Sequence, residues 1–288
     1  MLDKPTAEMS ISCALNWAQN RLARTNNLSS YEAKFEAEYL LTELLHVNRA
    51  HLIARPESTL PEPIKQAYTD AVNHRVMGIP IAYILGYREF WGLKLKTTPD
   101  TLIPRPDTET LVNETLKKIT PQTQRLIDLG TGTGAIAIAL ATETKNIEIL
   151  ATDLHFATLA IAKHNASEHQ ASISFLQSDW LQPFKSAPQF DIVVSNPPYI
   201  EADDQHLNQG DLRFEPSRAL ASGHDGLNAI TTIIKQCQSR LKKDGWLLLE
   251  HGYTQGEKIS TLLDAHGYRS ISTMKDYANL DRVTIGQR

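Results

Sequence analysis

The chain has 288 residues, of which 41% are hydrophobic and 22% charged, a length that predicts two domains with ordinary globular cores. Its net charge of -4 argues against a protein that captures nucleic acid through a broad basic surface. Its two cysteines, Cys13 and Cys237, lie far apart in no metal-binding or redox spacing, which excludes a disulfide scaffold and is typical of a reducing compartment.

The amino terminus carries no sign of export. Met1 to Pro5 lacks the charged and then apolar pattern of a signal peptide. No run approaches the roughly 18 apolar residues of a membrane span. We therefore expect a cytoplasmic protein without membrane contact.

Residues 1–78 have the apolar spacing of helices. A first helix is expected from Ile11 to Arg24, and Ser29 with Glu32 has the spacing of a capping box at the start of a second. A third apolar stripe follows Pro63, a residue that the first turn of a helix tolerates. We expect a small helical bundle whose stripes form its core, or alternatively a surface that docks a macromolecular substrate.

In residues 79–105 the sequence pattern changes from the helical spacing of the preceding residues. Two short strand-like runs flank Gly86 and Gly92, which predicts a hairpin linker. Phe90 and Trp91 within it could pack at a hinge or form the wall of a substrate slot. We favour packing for Trp91, and both roles stay open for Phe90.

A helix is expected to start near Pro106 and to run through Lys118. Arg105 and Glu109 at its start fit a solvated ion pair of little energetic value.

The segment that follows predicts a strand, a glycine loop, a helix and a second strand. These are Arg125 to Leu129, Gly130-Thr131-Gly132-Thr133-Gly134, Ala135 to Thr142, and Ile147 to Thr152. Asp153 then follows about 20 residues after the glycines, where a carboxylate can accept both ribose hydroxyls of a nucleoside-bearing cofactor. Because Gly130-x-Gly132-x-x-Ala135 also fits the dinucleotide fingerprint, a nicotinamide cofactor stays open.

A third strand is expected from Ile173 to Gln177, with Ser178-Asp179-Trp180 at its end. Asp179 and Trp180 could hydrogen-bond to and pack against an adenine. The alternative is a capped turn with a buried tryptophan.

The motif Asn196-Pro197-Pro198-Tyr199 follows a buried strand from Phe190 to Val194. The prolines end the strand at the edge where an open α/β sheet binds ligands. Asn196 offers an amide donor and acceptor, and Tyr199 offers a flat face, so the motif suits a planar amide or amino group. A strand-ending turn with a packed tyrosine is the alternative.

The remaining elements are a long polar segment, from Asp203 to Gly223, and two further helices and strands. The polar segment is long enough for a lid or binding loop, and its paired aspartates fit a solvated face, so no metal site is predicted. Helices are expected from Gly226 to Leu241 and Gln255 to Ala265, and strands from Trp246 to Glu250 and Asp281 to Ile285.

Together these motifs resemble a known family. Asp128-Leu129-Gly130-Thr131-Gly132-Thr133-Gly134 resembles the first motif of class I S-adenosylmethionine-dependent methyltransferases, and Asn196 to Tyr199 resembles the amino-methylating motif. Further segments are similar to the PrmC/HemK release-factor glutamine methyltransferases: the hairpin Tyr83 to Leu93, Ile103 to Glu109, Phe214-Glu215-Pro216, Gly223 to Leu227, Glu250-His251-Gly252 and Asp281-Arg282-Val283.

The resemblance implies an α/β fold: a helical bundle (1–78), a hairpin linker (79–105) and a Rossmann-like seven-stranded methyltransferase domain (106–288) with an antiparallel last strand. It implies transfer of a methyl group from S-adenosylmethionine to the glutamine side-chain nitrogen in the Gly-Gly-Gln loop of a bacterial release factor. The expected protein is a monomer without direct nucleic-acid contact.

The roles of the site residues follow from the same resemblance. Cofactor contacts are expected from Asp128, Gly130, Thr131, Gly132, Thr133, Gly134, Asp153, Asp179, Trp180 and Asn196. The Asn196 side-chain oxygen and the Pro197 carbonyl are expected to accept the two hydrogens of the substrate amide. Pro198 completes this motif, Tyr199 packs on the amide plane, and Phe90 closes the other side.

Three other functions stay open. A DNA or RNA amino methyltransferase would use the same tetrapeptide on a flipped base, but the chain lacks a basic track. A nicotinamide oxidoreductase would leave Asn196 to Tyr199 without a role. A non-catalytic adaptor would have no need of the residues that are expected to contact a cofactor.

Overall fold

The computed structural model describes residues 9–25 and 28–288. The amino-terminal pattern of Met1 to Pro5 therefore lies outside the described residues. The chain divides into two compact units, Met1–Gly86 and Tyr87–Arg288, and this division falls within the predicted linker. No helix in the described ranges is long and apolar enough to cross a bilayer.

The described residues of the first unit form five helices. They are α1 (Ile11–Thr25), α2 (Ser30–Leu45), α3 (Arg49–Ala54), α4 (Glu62–Val76) and α5 (Ile81–Leu85). The capping box at α2 is confirmed: Glu32 N donates to Ser29 Oγ at 3.2 Å, and Ser29 N donates to Glu32 Oε2 at 2.8 Å. Leu22, Leu40 and Tyr68 are fully buried in one core, which confirms the predicted bundle.

The first of the two predicted strand-like runs is wrong, because Ile81–Leu85 is helical. Pro80 stands at the N-cap and Gly86 ends the helix with φ +80. A glycine in the left-handed region ends a helix without the steric penalty of a side chain.

The hairpin therefore begins later than predicted. Its strands are β1 (Tyr87–Phe90) and β2 (Leu93–Lys96), which pair antiparallel. Trp91 (φ +54) and Gly92 (φ +69) connect them. Two successive positive φ values match the twist of a tight hairpin.

The second unit holds a seven-stranded sheet in the order β5-β4-β3-β6-β7-β9-β8. The strands are β3 (Arg125–Leu129), β4 (Glu148–Asp153), β5 (Ser174–Gln177), β6 (Phe190–Ser195), β7 (Leu241–Glu250), β8 (Arg269–Lys275) and β9 (Asp281–Gln287). The first five are parallel, and β9 is antiparallel to both of its neighbours. The predicted sheet and its antiparallel last strand are confirmed.

Helices cover both faces of this sheet, as the alternation of strand side chains requires. They are α6 (Glu109–Lys118), α7 (Ala135–Glu143), α8 (Phe156–Glu168), α9 (Asn228–Cys237) and α10 (Gly256–Ala265). Leu126 and Val194 pack in one core with residues of α6 and α7. Ile127 and Val193 pack in the other with residues of α9 and α10.

Two predicted boundaries differ near the end of the chain. The helix predicted through Leu241 ends at Cys237, and the strand predicted from Trp246 already starts at Leu241. The polar segment after β6 contains three short 3-10 turns, Gln205–Asn208, Leu212–Phe214 and Ser217–Ala219.

The strand order places the two sequence motifs side by side. β3 and β6 are neighbours at the centre of the sheet, where the chain switches from building one side to building the other. The Ser195 hydroxyl donates to the Leu129 carbonyl at 2.7 Å and joins the carboxyl ends of these strands. Open α/β sheets bind their ligands at such a point.

Candidate active site

The glycine loop after β3 is shaped by its backbone. Gly130, Gly132 and Gly134 have φ of +71, +57 and +85, values that disfavour side chains. A Cβ on Gly130 would lie 3.1 Å from the Trp180 ring, whereas no described atom lies within 4 Å of one on Gly132. The loop therefore exposes its backbone to the space above it, and this space is open over Gly132.

Asp128 supports this loop from beneath and does not line the cavity above it. The carboxyl is fully buried, and its Oδ2 accepts the Thr131 hydroxyl at 2.6 Å. Its Oδ1 lacks a hydrogen-bond partner in the described structure. Burial raises the pKa of Asp128 to about 7, although the Thr131 hydroxyl acts in the opposite direction.

Gly134 also lies outside the cavity lining. It is the N-cap of α7, and a Cβ there would lie 2.9 Å from Ile138 Cδ1 and 3.4 Å from Ala162 Cβ. The structure therefore explains this glycine by backbone conformation and close packing. The structure gives Asp128 and Gly134 a role in supporting the loop, and their expected contacts with a cofactor stay predictions.

Asp153 ends β4 beside the loop. Its Oδ2 accepts the Gly132 N–H at 3.1 Å, and its Oδ1 accepts the His155 N–H at 3.0 Å. Burial raises the pKa of Asp153 above its ordinary value, while these two hydrogen bonds act against the rise. The carboxylate is thus fixed in orientation at the rim of the cavity.

A cavity opens above the carboxyl ends of β3, β4 and β6. Eight of the predicted cofactor residues line it: Gly130, Thr131, Gly132, Thr133, Asp153, Asp179, Trp180 and Asn196. The wall of this cavity offers the backbone of the glycine loop, the fixed carboxylate of Asp153 and the indole of Trp180. Such a set of groups suits a ribose and an adenine. The residues therefore fit a nucleoside-bearing cofactor.

A second cavity adjoins the first at Asn196. Asn196, Leu102 and Arg105 line both, whereas Pro197 and Tyr199 line only the second. Pro198 lines the first. The tetrapeptide after β6 therefore stands between two spaces, which is the arrangement that a group transfer between two bound molecules needs.

The side chains of the tetrapeptide are held from below. Asn196 Nδ2 donates to Thr108 Oγ1 at 3.2 Å, and the Tyr199 hydroxyl lies 3.5 Å from Glu250 Oε1. Burial raises the pKa of the Tyr199 hydroxyl, so it stays neutral. With its amide donor engaged by Thr108, Asn196 keeps its oxygen available as an acceptor.

Glu250 is the buried acid of this arrangement, at the carboxyl end of β7. Burial raises its pKa to about 7, although the charge of Arg282 acts in the opposite direction. Among the described residues, no group of three or more His, Cys, Asp or Glu side chains could hold a metal ion.

The structure places Phe90 away from both cavities. Its side chain is 2% exposed and packs in the sheet core with Leu95 and Leu111, and it lines neither space. Of its two proposed roles this position favours packing, which corrects the expectation that Phe90 closes the substrate slot. Trp91 also packs against this core.

The predicted solvated pair of Arg105 and Glu109 is wrong. Arg105 instead forms a salt bridge with Glu215, whose side chain is fully buried. Glu215 Oε2 also accepts the Ile103 N–H at 3.0 Å. Glu109 Oε1 accepts the Trp91 N–H at 3.2 Å. One feature of the sequence indicates the pair between Arg105 and Glu215, which is that both residues lie in segments similar to the family.

The polar segment after β6 contributes to the first cavity through Arg218 and Ala219. Arg218 Nη2 donates to the Asp100 carbonyl at 3.2 Å, which ties this segment to the chain before α6. Sequence reasoning missed Arg218 and Asp100, because neither stands in a motif that indicates ligand binding.

Family comparisons agree on both parts of the chain. The family described as the methyltransferase small domain matches residues 106–222, and the PrmC N-terminal domain matches residues 13–86. The release factor glutamine methyltransferase of Coxiella burnetii is 47% identical over 257 residues, 88% of this chain and 92% of that protein. The protein of the same name from Vibrio cholerae is 43% identical over 282 residues, 97% of both chains.

Solved structures agree on the fold. The catalytic domain of hMettl16 in complex with a MAT2A 3'UTR hairpin has a TM-score of 0.56 at 16% identity, over 86% of this chain and 89% of that one. A methyltransferase from Pyrococcus furiosus has a TM-score of 0.52 at 16% identity, over 76% and 98%. At this identity the likeness concerns the fold alone.

Proposed function

The chain belongs to the family of release factor glutamine methyltransferases, and we propose that it methylates the side-chain amide nitrogen of a glutamine in a bacterial peptide chain release factor. The methyl donor is S-adenosylmethionine. The acceptor glutamine is that of the Gly-Gly-Gln loop. One observation carries the proposal: two cavities meet at Asn196, whose side-chain oxygen is kept available by the bond from Nδ2 to Thr108.

The first cavity is assigned to the cofactor. The glycine loop contributes backbone against it, Asp153 accepts the ribose hydroxyls, and Asp179 with Trp180 contacts the adenine. S-adenosylmethionine supplies a methyl group that is already activated by its bond to a sulfonium. The protein therefore has to bind and orient rather than to activate the donor.

The second cavity is assigned to the glutamine side chain. An amide nitrogen is a poor nucleophile because its lone pair is delocalised into the carbonyl. Acceptance of its two hydrogens by the Asn196 oxygen and the Pro197 carbonyl would fix its direction and would strengthen as positive charge develops on nitrogen. Alignment of this kind is worth up to about 7–11 kcal/mol in well-oriented reactions. The product can lose its proton to water, so no general base is required.

The experiment is transfer of labelled methyl from S-adenosylmethionine to a purified release factor. A release factor whose loop reads Gly-Gly-Ala and a duplex DNA serve as the two control acceptors. Label on the wild-type factor alone is the expected result. Label on DNA would instead support the alternative amino methyltransferase of DNA or RNA, and label on no acceptor would refute the substrate assignment.

Two variants separate the two cavities. Asn196→Ala should lower turnover far more than cofactor affinity, while Asp153→Ala should do the reverse. Initial rates and calorimetry measure the two quantities. Equal loss of both in the Asn196 variant would contradict its assignment to the acceptor.

The helical unit is proposed to dock the release factor. Tyr31 and Phe35 on α2 are 78% and 60% exposed, and Phe35 stacks on Tyr39 with ring centroids 6.3 Å apart. Exposed aromatic side chains in one row are typical of protein interfaces. Phe35→Ser should raise KM for the release factor and leave cofactor affinity unchanged. Ile53→Ser, also at an exposed position, is the matched control, and an equal rise there would contradict this role for α2.

We further propose that the protein acts in the cytoplasm as a monomer and does not bind nucleic acid directly. The net charge of -4 supports the last point. Sedimentation of the pure protein and retention on duplex DNA at moderate salt test the two physical statements.

A further inference from the structure

We propose that Arg105, held by Glu215, donates to the carbonyl oxygen of the acceptor glutamine and so determines that nitrogen rather than oxygen meets the methyl group. This inference rests on the proposed function. In that function Asn196 and Pro197 accept the two hydrogens of the substrate amide, and the amide oxygen is left without an assigned partner.

The second cavity offers a charged donor for this oxygen. Its lining combines the tetrapeptide after β6 with apolar side chains such as Leu212 and Leu220. Among the described residues that line it, Arg105 is the only charged one. A carbonyl oxygen that enters such a space gives up water and needs a hydrogen-bond donor in exchange. The Asn196 amide group is already engaged, because its Nδ2 donates to Thr108 Oγ1 at 3.2 Å.

The guanidinium of Arg105 has donors left for a ligand. An arginine side chain carries several N–H groups, and in the described structure that of Arg105 makes one hydrogen bond, from Nη2 to Glu215 Oε1. The Arg105 side chain is 32% exposed, whereas that of Glu215 is fully buried. One end of the guanidinium is therefore fixed, and its other N–H groups can serve a molecule in the cavity.

Glu215 also fixes the backbone that carries Arg105. Its Oε2 accepts the Ile103 N–H at 3.0 Å, so one carboxylate holds both the main chain and the side chain of this segment. An arginine that is paired in this way keeps its planar group in one orientation. The opposite charges also offset each other, so the pair adds little net positive charge near the sulfonium of the methyl donor.

A contact with the oxygen matters because a carboxamide has two atoms that could take the methyl group. Delocalisation of the lone pair makes oxygen the more electron-rich of the two, so an enzyme that methylates nitrogen has to hold oxygen aside. With its oxygen on Arg105 and its hydrogens on Asn196 and Pro197, the planar amide has one orientation.

The reaction then proceeds at nitrogen. The nitrogen lone pair forms the new N–C bond, the electrons of the C–S bond return to sulfur, and nitrogen loses a proton to water. A donor on oxygen by itself draws the lone pair away from nitrogen. Acceptance of both N–H groups by Asn196 and Pro197 pushes electron density back toward nitrogen and offsets this effect.

Arg105 also lines the first cavity, where the carboxylate of the cofactor would be an alternative partner. That cavity has a second arginine, Arg218, in its lining, whereas Arg105 alone supplies charge to the described lining of the second cavity. This difference favours the acceptor glutamine as the partner of Arg105.

The test is a double-mutant cycle between Arg105 and the glutamine. Calorimetry measures the affinity of the enzyme, saturated with S-adenosylhomocysteine, for release factors whose loops read Gly-Gly-Gln and Gly-Gly-Ala. We expect Arg105→Met to weaken binding of the glutamine factor roughly tenfold to a hundredfold, the scale of one hydrogen bond to a charged group. Binding of the alanine factor should change little. The kcat for methyl transfer at saturating S-adenosylmethionine should also fall, because the amide loses its orientation.

Two further variants separate this contact from folding. Arg105→Met leaves the buried Glu215 carboxylate unpaired, which is destabilising. Arg105→Met combined with Glu215→Gln removes both charges and keeps an acceptor for the Ile103 N–H. This double variant should melt at a higher temperature than Arg105→Met and should still lack the preference for the glutamine factor. Glu215→Gln alone keeps the guanidinium, and its amide oxygen can accept from Arg105, so it should retain most of the preference.

The outcomes distinguish this inference from the proposed function. If the wild-type enzyme leaves the release factor unlabelled, the proposed function fails. If the wild-type enzyme labels it, but Arg105→Met weakens binding of both factors equally or of neither, only the role of Arg105 fails. Equal loss of the preference in Glu215→Gln and Arg105→Met would assign the effect to packing of the pair and overturn the inference. Loss of cofactor affinity in Arg105→Met with the preference intact would assign Arg105 to the first cavity, with the same consequence.

Discussion

Gly226 carries the sharpest prediction, because its neighbour is the backbone of the proposed catalytic motif. It has φ +73, and a Cβ there would lie 2.1 Å from the Tyr199 carbonyl oxygen and 2.7 Å from Gln255 Nε2. Gln255 Nε2 itself donates to that carbonyl at 3.0 Å. Gly226→Ala would therefore push directly on the segment that ends in Tyr199, and a backbone neighbour cannot rotate away.

Two contributions to the free energy of unfolding are expected from Gly226→Ala. An alanine in the left-handed region costs about 1–2 kcal/mol. Overlap with packed neighbours adds about 1–3 kcal/mol. Gly267 provides the matched control, because its φ is +77 but no described atom lies within 4 Å of a Cβ. Gly267→Ala should therefore show only the first contribution, and Gly226→Ala about 2–5 kcal/mol in all.

Urea unfolding followed by tryptophan fluorescence measures this difference, with the slope of the transition compared among the three proteins. Three of the four tryptophans, Trp91, Trp180 and Trp246, lie in the second unit. Methyl transfer should fall in Gly226→Ala and persist in Gly267→Ala. Equal unfolding midpoints, or full activity in Gly226→Ala, would refute the argument that this glycine gives room to the Tyr199 carbonyl.

Two further predictions concern carboxyl groups, the partly buried Asp153 and the buried Glu215. Asp153→Asn should weaken cofactor binding in calorimetry. In the wild type, affinity should decline as pH falls and should begin to do so at higher pH than for an ordinary carboxylate, because burial raises the pKa of Asp153 and only the ionised form accepts two hydroxyls. Glu215→Gln should lower the free energy of unfolding by about 1–3 kcal/mol in denaturant melts, because Arg105 loses its charged partner; no loss would contradict a structural role for that pair.

The centre of the fold could be predicted from sequence because its signals are local. Buried parallel strands are short apolar runs, and glycines or prolines mark their ends. The edge strand β8 was missed because Arg-Ser-Ile-Ser-Thr-Met-Lys is largely exposed and carries little apolar pattern. Helix α5 was taken for a strand because five apolar residues fit either structure, and the capping residues decided between them.

The site was predictable to the extent that its residues follow strands directly. Asn196 and Asp153 belong to this class. Which of the motif residues line the cavity was not predictable, because Asp128 and Gly134 stand in the same motif as the lining residues but do not line it. Thr108 was not assigned a role of its own, since Asn196, which donates to its hydroxyl, is distant in sequence and only the folded chain brings the two together.

The way in which the tetrapeptide is held bears on the kind of catalysis. Separate elements fix the tetrapeptide and the residue before it: β3 accepts from Ser195, Thr108 accepts from Asn196, and Gln255 donates to the Tyr199 carbonyl. An acceptor that was already a good nucleophile would need little of this restraint. A neutral amide gains reactivity mainly by being held in one direction with acceptors on both of its hydrogens. The rigidity of this segment is therefore the property that a glutamine methyltransferase needs, and its loss should lower kcat before it lowers affinity for either ligand.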